Sequence, residues 1–550
     1  MAKWQIRLIA FGVITLQAGF FGVPAKSQIV TVAVPGDPVT VDSGRIAGKV
    51  LPSGVRAYLG IPFAAPPVRE SRWREPQPVA PWQGVYNADR FAPECIQVLR
   101  RHNLNHYFGE EPTSEDCLYL NIWAPPLTGT GAKLPVIVFL YGGGFTIGSA
   151  GMAMYGGENV ARHNAIFVNF NYRIGALGFM AHPELTAESA HHASGNYGLL
   201  DQVAALKWIQ RNIAQFGGDP GNITITGQSA GASSVAFLQA SPLATGLFHR
   251  AAAFSGSVFG PAAATPPRVE AEKAGLAVQA TLGAKSVAEL RLLPADKIVA
   301  VQEDCQLGCA GSVKVGPHVD GHFLPDSPAK IFAQGRQNDV PVILALTRDE
   351  SSNDLRTAGT LEAYRAAATK YYGDRAEKFL TLYPASSDAE AREMGLSAAR
   401  DGMIGMRMRS WALAQSERGK APVYIAMFSR VHPFSAGVTF YDNPKAIGVY
   451  HTSDVPYWFQ TQDTFNLFRT TRDWTDYDRD LSNKMMSALL AFARVGDPST
   501  ASVPWPRWSR QKEQLIEFGD AVSIQPMSTQ RLDFHTNAGV MPAVPRLSRD

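Results

Sequence analysis

The sequence predicts an α/β protein: a mostly parallel β-sheet covered on both faces by helices. Two observations carry that prediction. Short apolar runs have the length and β-branched content of buried strands: Val136–Leu140, Ile166–Asn171, Ile223–Thr226, Ala251–Phe254, Val342–Leu346 and Val423–Phe428. Between them lie longer stretches with apolar residues at helical spacing, as in Gly198–Ile213, which reads GLLDQVAALKWIQRNI. Ser487–Phe492 belongs to another helix near the C-terminus. Ahead of the alternation, residues 28–62 switch between apolar and polar with Pro and Gly turns, which predicts a small N-terminal antiparallel meander. Residues 260–335 and 350–420 read as helical insertions above the sheet. No linker-like break divides the chain, so residues 28–550 are expected to form one domain.

Composition narrows the functional classes. A hydrophobic content of 45% supports a large core, and a net charge of +3 is close to balance. Without a basic block or an acidic tail, nucleic acid and anionic membrane surfaces are not expected partners. At the N-terminus, Lys3 and Arg7 precede the apolar run Leu8–Leu16, and Ala25 and Ser27 supply small residues for cleavage. Residues 1–27 therefore read as a secretory signal peptide, which places the mature chain outside the cytoplasm, secreted or periplasmic. No stable membrane insertion is expected after its removal. Export gives meaning to the four cysteines, which fall as two neighbouring pairs, so bridges Cys95–Cys117 and Cys305–Cys309 are expected. Neither pair has neighbours at metal-ligand spacing.

The stretch with most chemistry is Ile223–Ala236, ITITGQSAGASSVA. A short strand leads into Gly227-Gln228-Ser229-Ala230-Gly231, and a small-residue run with helix character follows. G-x-S-x-G in this setting is a nucleophile elbow: the serine sits on a strained strand-to-helix turn, and glycines leave room for close backbone approach. The helix N-terminus beneath Ser229 lets the Ala230 N–H donate to an oxyanion. Tyr141-Gly142-Gly143-Gly144-Phe145, directly after a predicted strand, supplies Gly143 and Gly144 as further donors. The loop lacks G-K-[ST] and G-x-G-x-x-G, which argues against phosphate or dinucleotide binding.

Several longer motifs resemble the type-B carboxylesterase/cholinesterase family, in a bacterial- or fungal-type secreted form. Phe216–Gly231 is similar to that family's serine signature, and Glu115–Trp123, EDCLYLNIW, to its second signature. Tyr58–Ala64, Asn171-Tyr172-Arg173 and Gly195–Asp201 match as well, so the resemblance covers nearly the whole mature chain. It implies an α/β-hydrolase fold and a serine hydrolase that cleaves carboxylic esters through an acyl-enzyme, with a catalytic order Ser, acid, His. The family's acid lies after a strand, in a segment like N-x-D-E-G. Here Thr347-Arg348-Asp349-Glu350-Ser351 aligns Glu350 with it, Ser351 replaces the usual glycine, and Asp349 is the alternative carboxylate. Gly448–Phe459, GVYHTSDVPYWF, is similar to the segment that carries the histidine, which points to His451. His432 and His535 also follow the acid but carry no comparable motif.

The resemblance further implies that Cys95–Cys117 closes a loop bordering the active-site mouth, that Arg72 pairs with Glu115, and that Ser255 buttresses the acid–histidine pair. In cholinesterases that loop carries a tryptophan for quaternary ammonium. Here it has none, so a choline ester is not the expected substrate. Arg100, Arg101, His102 and His106 in the same loop fit either an acidic ester or a solvated face. The expected ligand is a small-molecule ester, with no metal or organic cofactor, acting as a monomer or homodimer. An idle binding or adhesion protein on the same fold, or an amide or thioester hydrolase, are the alternative functions. With His451 as base, activity should rise between about pH 6 and 8.

Overall fold

Eleven strands form the central sheet in a computed structural model that describes residues 34–97, 112–126, 133–260, 265–302, 313–351, 354–438 and 447–537. In chain order they are β1 (Lys49–Val50), β2 (Arg56–Pro62), β3 (Tyr119–Ala124), β4 (Leu134–Leu140), β5 (Ile166–Phe170) and β6 (Gly218–Gln228). Then come β7 (Arg250–Phe254), β8 (Val342–Thr347), β9 (Val423–Phe428), β10 (Gln514–Phe518) and β11 (Val522–Pro526). Their spatial order is β11-β10-β9-β8-β7-β6-β4-β5-β3-β2-β1. The block from β5 to β10 is parallel throughout. Antiparallel pairs occupy the two margins. Strands such as β8, VILALT, are buried along their whole length, as parallel strands with helices on both faces must be.

The order reverses at β4. From β4 the chain crosses to β5 on one side and then to β6 on the other. The loops at the C-terminal ends of β4 and β6 therefore diverge and leave a crevice, the usual ligand position in an open parallel sheet. The glycine loop follows β4, and Ser229 follows β6.

All six strands expected from the apolar runs lie in this sheet, and the helices agree. Helix α1 (Tyr197–Asn212) covers the predicted 198–213 segment, and α2 (Ala230–Ala240) follows the elbow. Helix α3 (Asp476–Val495) contains Ser487–Phe492 but starts earlier, at a capping box between Thr475 and Asp478. The insertions are helical, and the helices spanning Leu361–Arg400 share a small core of their own with Phe534.

Three strands of the main sheet were not anticipated. β3 reads YLNIWA, and Asn121 interrupts its apolar run. That amide is satisfied by burial partners distant in sequence, donating to Asn169 and accepting from the Gly60 N–H, both at 2.9 Å. β10 and β11 mix polar residues at the sheet margin. The N-terminal meander also divides. Val39–Val41, Gly44–Ala47 and Val85–Asn87 form a separate sheet, whereas β1 and β2 join the main one. Gly48 marks the break, where a Cβ would stand 2.6 Å from the Ala57 carbonyl.

A buried ion pair ties the segment after β5 to α1. Arg173, just past β5, donates to Asp201 of α1 from Nε (2.8 Å) and Nη2 (2.7 Å), and the Arg173 N–H adds a third bond at 3.0 Å. The two side chains are only 4% and 0% exposed. Removing one partner strands a charge in a dry site. Asp201→Ala should therefore lose about 3–5 kcal/mol of stability, read as a lower urea midpoint. An unchanged midpoint would contradict this role.

Candidate active site

Ser229 stands alone between the last residue of β6 and the first of α2, with φ 58° and ψ −121°. A non-glycine residue there costs on the order of 1–3 kcal/mol and persists only where its surroundings enforce it. The enforcement is visible. The Ser229 N–H donates to the Phe254 carbonyl of β7 at 2.8 Å, and its carbonyl accepts from Ser233 at 3.0 Å. A Cβ on Gly227 would meet the Gly231 carbonyl at 2.3 Å, and one on Gly231 would meet the Leu140 carbonyl at 2.0 Å. The two glycines expected to leave room for the elbow do so. A third, Gly256, escaped sequence reasoning because it approaches from a different strand; its Cβ would lie 2.1 Å from the Ser229 carbonyl.

Gly143 and Gly144 adopt φ values of 115° and 63°, which turn their amides away from the sheet ladder. Among the described residues, neither N–H finds an acceptor, and Ala230 is the first helical residue, whose N–H has no intrahelical partner. The base of this loop is braced by a pair the sequence did not single out. Tyr141 and Tyr172 stack at 4.4 Å, and each hydroxyl donates to the other's backbone carbonyl, at 3.0 and 2.7 Å.

Glu350 follows β8 by three residues, and His451 lies in the loop beyond β9. The structure joins them: His451 Nδ1 and Glu350 Oε2 are 2.5 Å apart. Glu350 is 2% exposed, while 40% of the His451 side chain is open to solvent. Glu350 Oε1 accepts from the Thr347 N–H at 3.2 Å. Asp349, the alternative acid, instead pairs with Arg348 and accepts from the Val449 N–H. The His451 Nε2 faces the side-chain amide of Gln228 at 3.0 Å, immediately before Ser229. Burial pushes the His451 pKa down, but the hydrogen bond and charge of Glu350 outweigh it, so the net shift is upward from 6.5.

Behind this pair is a second buried acid. Asp454 accepts from Trp458 Nε1 at 3.0 Å, and among the described residues its other, buried oxygen has no partner. Burial, then the charge of Glu350, raises its pKa to about 7. His432, set aside at the sequence level, clamps the turn on either side of His451. Its Nε2 bonds the Ser453 carbonyl at 2.7 Å, and the Tyr450 hydroxyl meets its Nδ1 at 3.1 Å. Burial, then the nearby Arg472 charge, lowers its pKa to about 3, so it stays neutral. Sequence motifs could not reveal that contact, because His432 is brought in from the end of β9.

Other expectations divide. Arg72 pairs with Glu115 through two bonds of 2.7 and 2.6 Å, and Cys95 is bridged to Cys117. Ser255 sits beside the elbow at φ 53°, but among the described residues its buried hydroxyl has no hydrogen-bond partner, so it makes no direct bond to Glu350. Cys305–Cys309, the signal segment and Arg100, Arg101, His102 and His106 lie outside the described residues. Among the described residues, Glu75, His191 and His322 bring ligand atoms within 4.8 Å of one another. The two imidazoles stack face to face, centroids 3.8 Å apart and planes 8° from parallel, so their in-plane lone pairs do not converge on one ion. No described helix is long and apolar enough to cross a membrane.

Comparison with known proteins matches residues 36–535 to the carboxylesterase family model. The fumonisin B1 esterase of Sphingopyxis macrogoltabida is 35% identical, over 92% of this chain and 90% of its own. The para-nitrobenzyl esterase of Bacillus subtilis (strain 168) is 32% identical, over 91% and 99%. A solved structure of PNB esterase superposes with a TM-score of 0.72 at 30% identity, covering 90% of this chain and 99% of that one. With an α/β-hydrolase sheet, an elbow serine and these relatives, the chain belongs to the carboxylesterase family and is a carboxylic-ester hydrolase.

Proposed function

We propose that this esterase works through a Ser229–His451–Glu350 triad and an acyl-enzyme intermediate. The observation that carries the reading is convergence: the strained Ser229, the His451–Glu350 bond and the free N–H groups of the glycine loop all stand at the C-terminal edge of the parallel sheet. A serine hydroxyl is a weak nucleophile and needs a base. In this reading His451 Nε2 exchanges its Gln228 contact for the Ser229 hydroxyl and takes its proton as the oxygen attacks the ester carbonyl. Glu350 holds the Nδ1–H tautomer and stabilises the imidazolium. The tetrahedral oxyanion is held by the N–H groups of Gly143, Gly144 and Ala230, each worth about 3 kcal/mol in the transition state. The imidazolium then protonates the leaving alcohol, and water, deprotonated by the same ring, releases the acid. The signal-like N-terminus supports action outside the cytoplasm.

Three outcomes test this. An active-site organophosphonate should add once to the intact protein and not at all to Ser229→Ala, as read by mass spectrometry. If both proteins are labelled alike, the nucleophile is elsewhere. Glu350→Gln should lower kcat by about 10⁴-fold, because the ring loses its tautomer and its counter-charge. A loss below tenfold would remove Glu350 from the triad.

The third outcome concerns pH. A histidine whose pKa is raised stays protonated, and therefore inactive as a base, to a higher pH, so kcat/KM should rise with a midpoint above 6.5. Above about pH 7 the Asp454 carboxylate adds negative charge that favours the imidazolium. Asp454→Asn removes that charge and should move the acid limb to lower pH, by up to about one unit. A limb that stays in place would show that Asp454 does not share in this titration.

A further inference from the structure

Gln228 stands directly before the nucleophile, and its side chain reaches the catalytic histidine. It closes β6, paired with Phe254 of β7, and is 1% exposed. The glycine loop makes room for it: a Cβ on Gly142 would lie 2.7 Å from the Gln228 side-chain oxygen and 2.8 Å from Ser229 Cβ. A buried amide is unfavourable unless it is hydrogen-bonded, so the partner of its nitrogen matters. That partner is His451 Nε2, at 3.0 Å.

The direction of this bond follows from the other side of the ring. Nδ1 lies 2.5 Å from Glu350 Oε2, and an ionised carboxylate only accepts, so the ring proton sits on Nδ1. Nε2 then carries a lone pair, and the Gln228 N–H donates to it. Protonating Nε2 would set N–H against N–H, so the contact holds only while the ring is neutral. Among the described residues, the Ser229 hydroxyl makes no bond to His451, and one lone pair cannot serve both donors.

The groups around the ring pull in both directions. Burial opposes the imidazolium, whereas Glu350, from the loop after β8, and Asp454, from the ring's own turn, favour it. His432, beside that turn, is neutral, and Asp349 is paired with Arg348. Gln228 is an uncharged group bonded to Nε2 itself, the atom that has to take the Ser229 proton.

We propose that Gln228 is a positioning residue that latches the catalytic base: at rest its amide holds His451 as the neutral Nδ1–H tautomer and occupies the lone pair that Ser229 must reach. This rests on the triad reading and adds a resting state to the same site. The latch opens when Nε2 turns from the amide to the hydroxyl. It keeps the base unprotonated to lower pH. It also holds back the deprotonated enzyme, because one hydrogen bond has to break before proton transfer.

The measurement is kcat/KM for phenyl acetate between about pH 5 and 9, which reports the free enzyme. Gln228→Met keeps the length of the side chain and removes the donor. Its acid limb should move up by about half to one pH unit, and its plateau should rise about two- to tenfold, the worth of one hydrogen bond. Gln228→Glu replaces the donor by a second carboxylate that accepts from the imidazolium. Its limb should move up by more than about one unit. A residue that only packed would lower the plateau and leave the limb where it was. A limb unmoved in both variants, or a Gln228→Met plateau no higher than that of the wild type, overturns the latch. Urea midpoints show that each variant is folded, and Gln228→Glu, which keeps the shape of the side chain, carries the pH test if Gln228→Met does not fold. A wild type whose Ser229 takes no phosphonate overturns the triad reading, and the latch with it. Wild-type labelling with unmoved limbs removes the latch alone.

Discussion

The turn at Ser229 is the constraint on which the site depends. A backbone with φ 58° and ψ −121° at a serine is not a local preference, and nothing in GQSAG alone would hold it. It is held because β6 and β7 both present backbone to it and because four glycines let that backbone come close. Gly227 and Gly231 let the strand and helix fold against each other, Gly231 also meets β4, Gly142 admits Gln228 and Ser229, and Gly256 admits the Ser229 carbonyl. At each of the four a methyl group would run into backbone, so a single substitution there shifts the Ser229 turn. The strain is offset by the large buried sheet around it, which deforms little.

The same packing explains the division of labour among the titratable groups. Glu350 is buried and His451 half-open, so in the proposed triad the acid is shielded while the base remains reachable. His432 holds the turn that carries His451 and is kept neutral by burial, whereas the His451 pKa is shifted upward. Asp454 lies deeper, with one oxygen unpaired among the described residues, and its charge raises the His451 pKa. Acid, base and background charge are thus sorted by depth below the surface rather than by residue type.

Much of this was legible in the residues. The six buried strands, the Ser229 elbow and the glycine loop follow from local pattern, because apolar periodicity and glycine placement act over a few residues. Glu350 and His451 were readable only through family motifs, since one carboxylate or imidazole among many carries no local mark. Strands β3, β10 and β11 were hidden because polar residues such as Asn121 are satisfied by partners far along the chain. Gly256 against Ser229, the His432 clamp and the stacked Tyr141–Tyr172 pair belong to the same class. Sequence alone determined the six buried parallel strands and the turn at Ser229 that they lead into. Tertiary structure decided which distant groups meet them, because burial and hydrogen-bond pairing exist only once separate strands and loops are packed together.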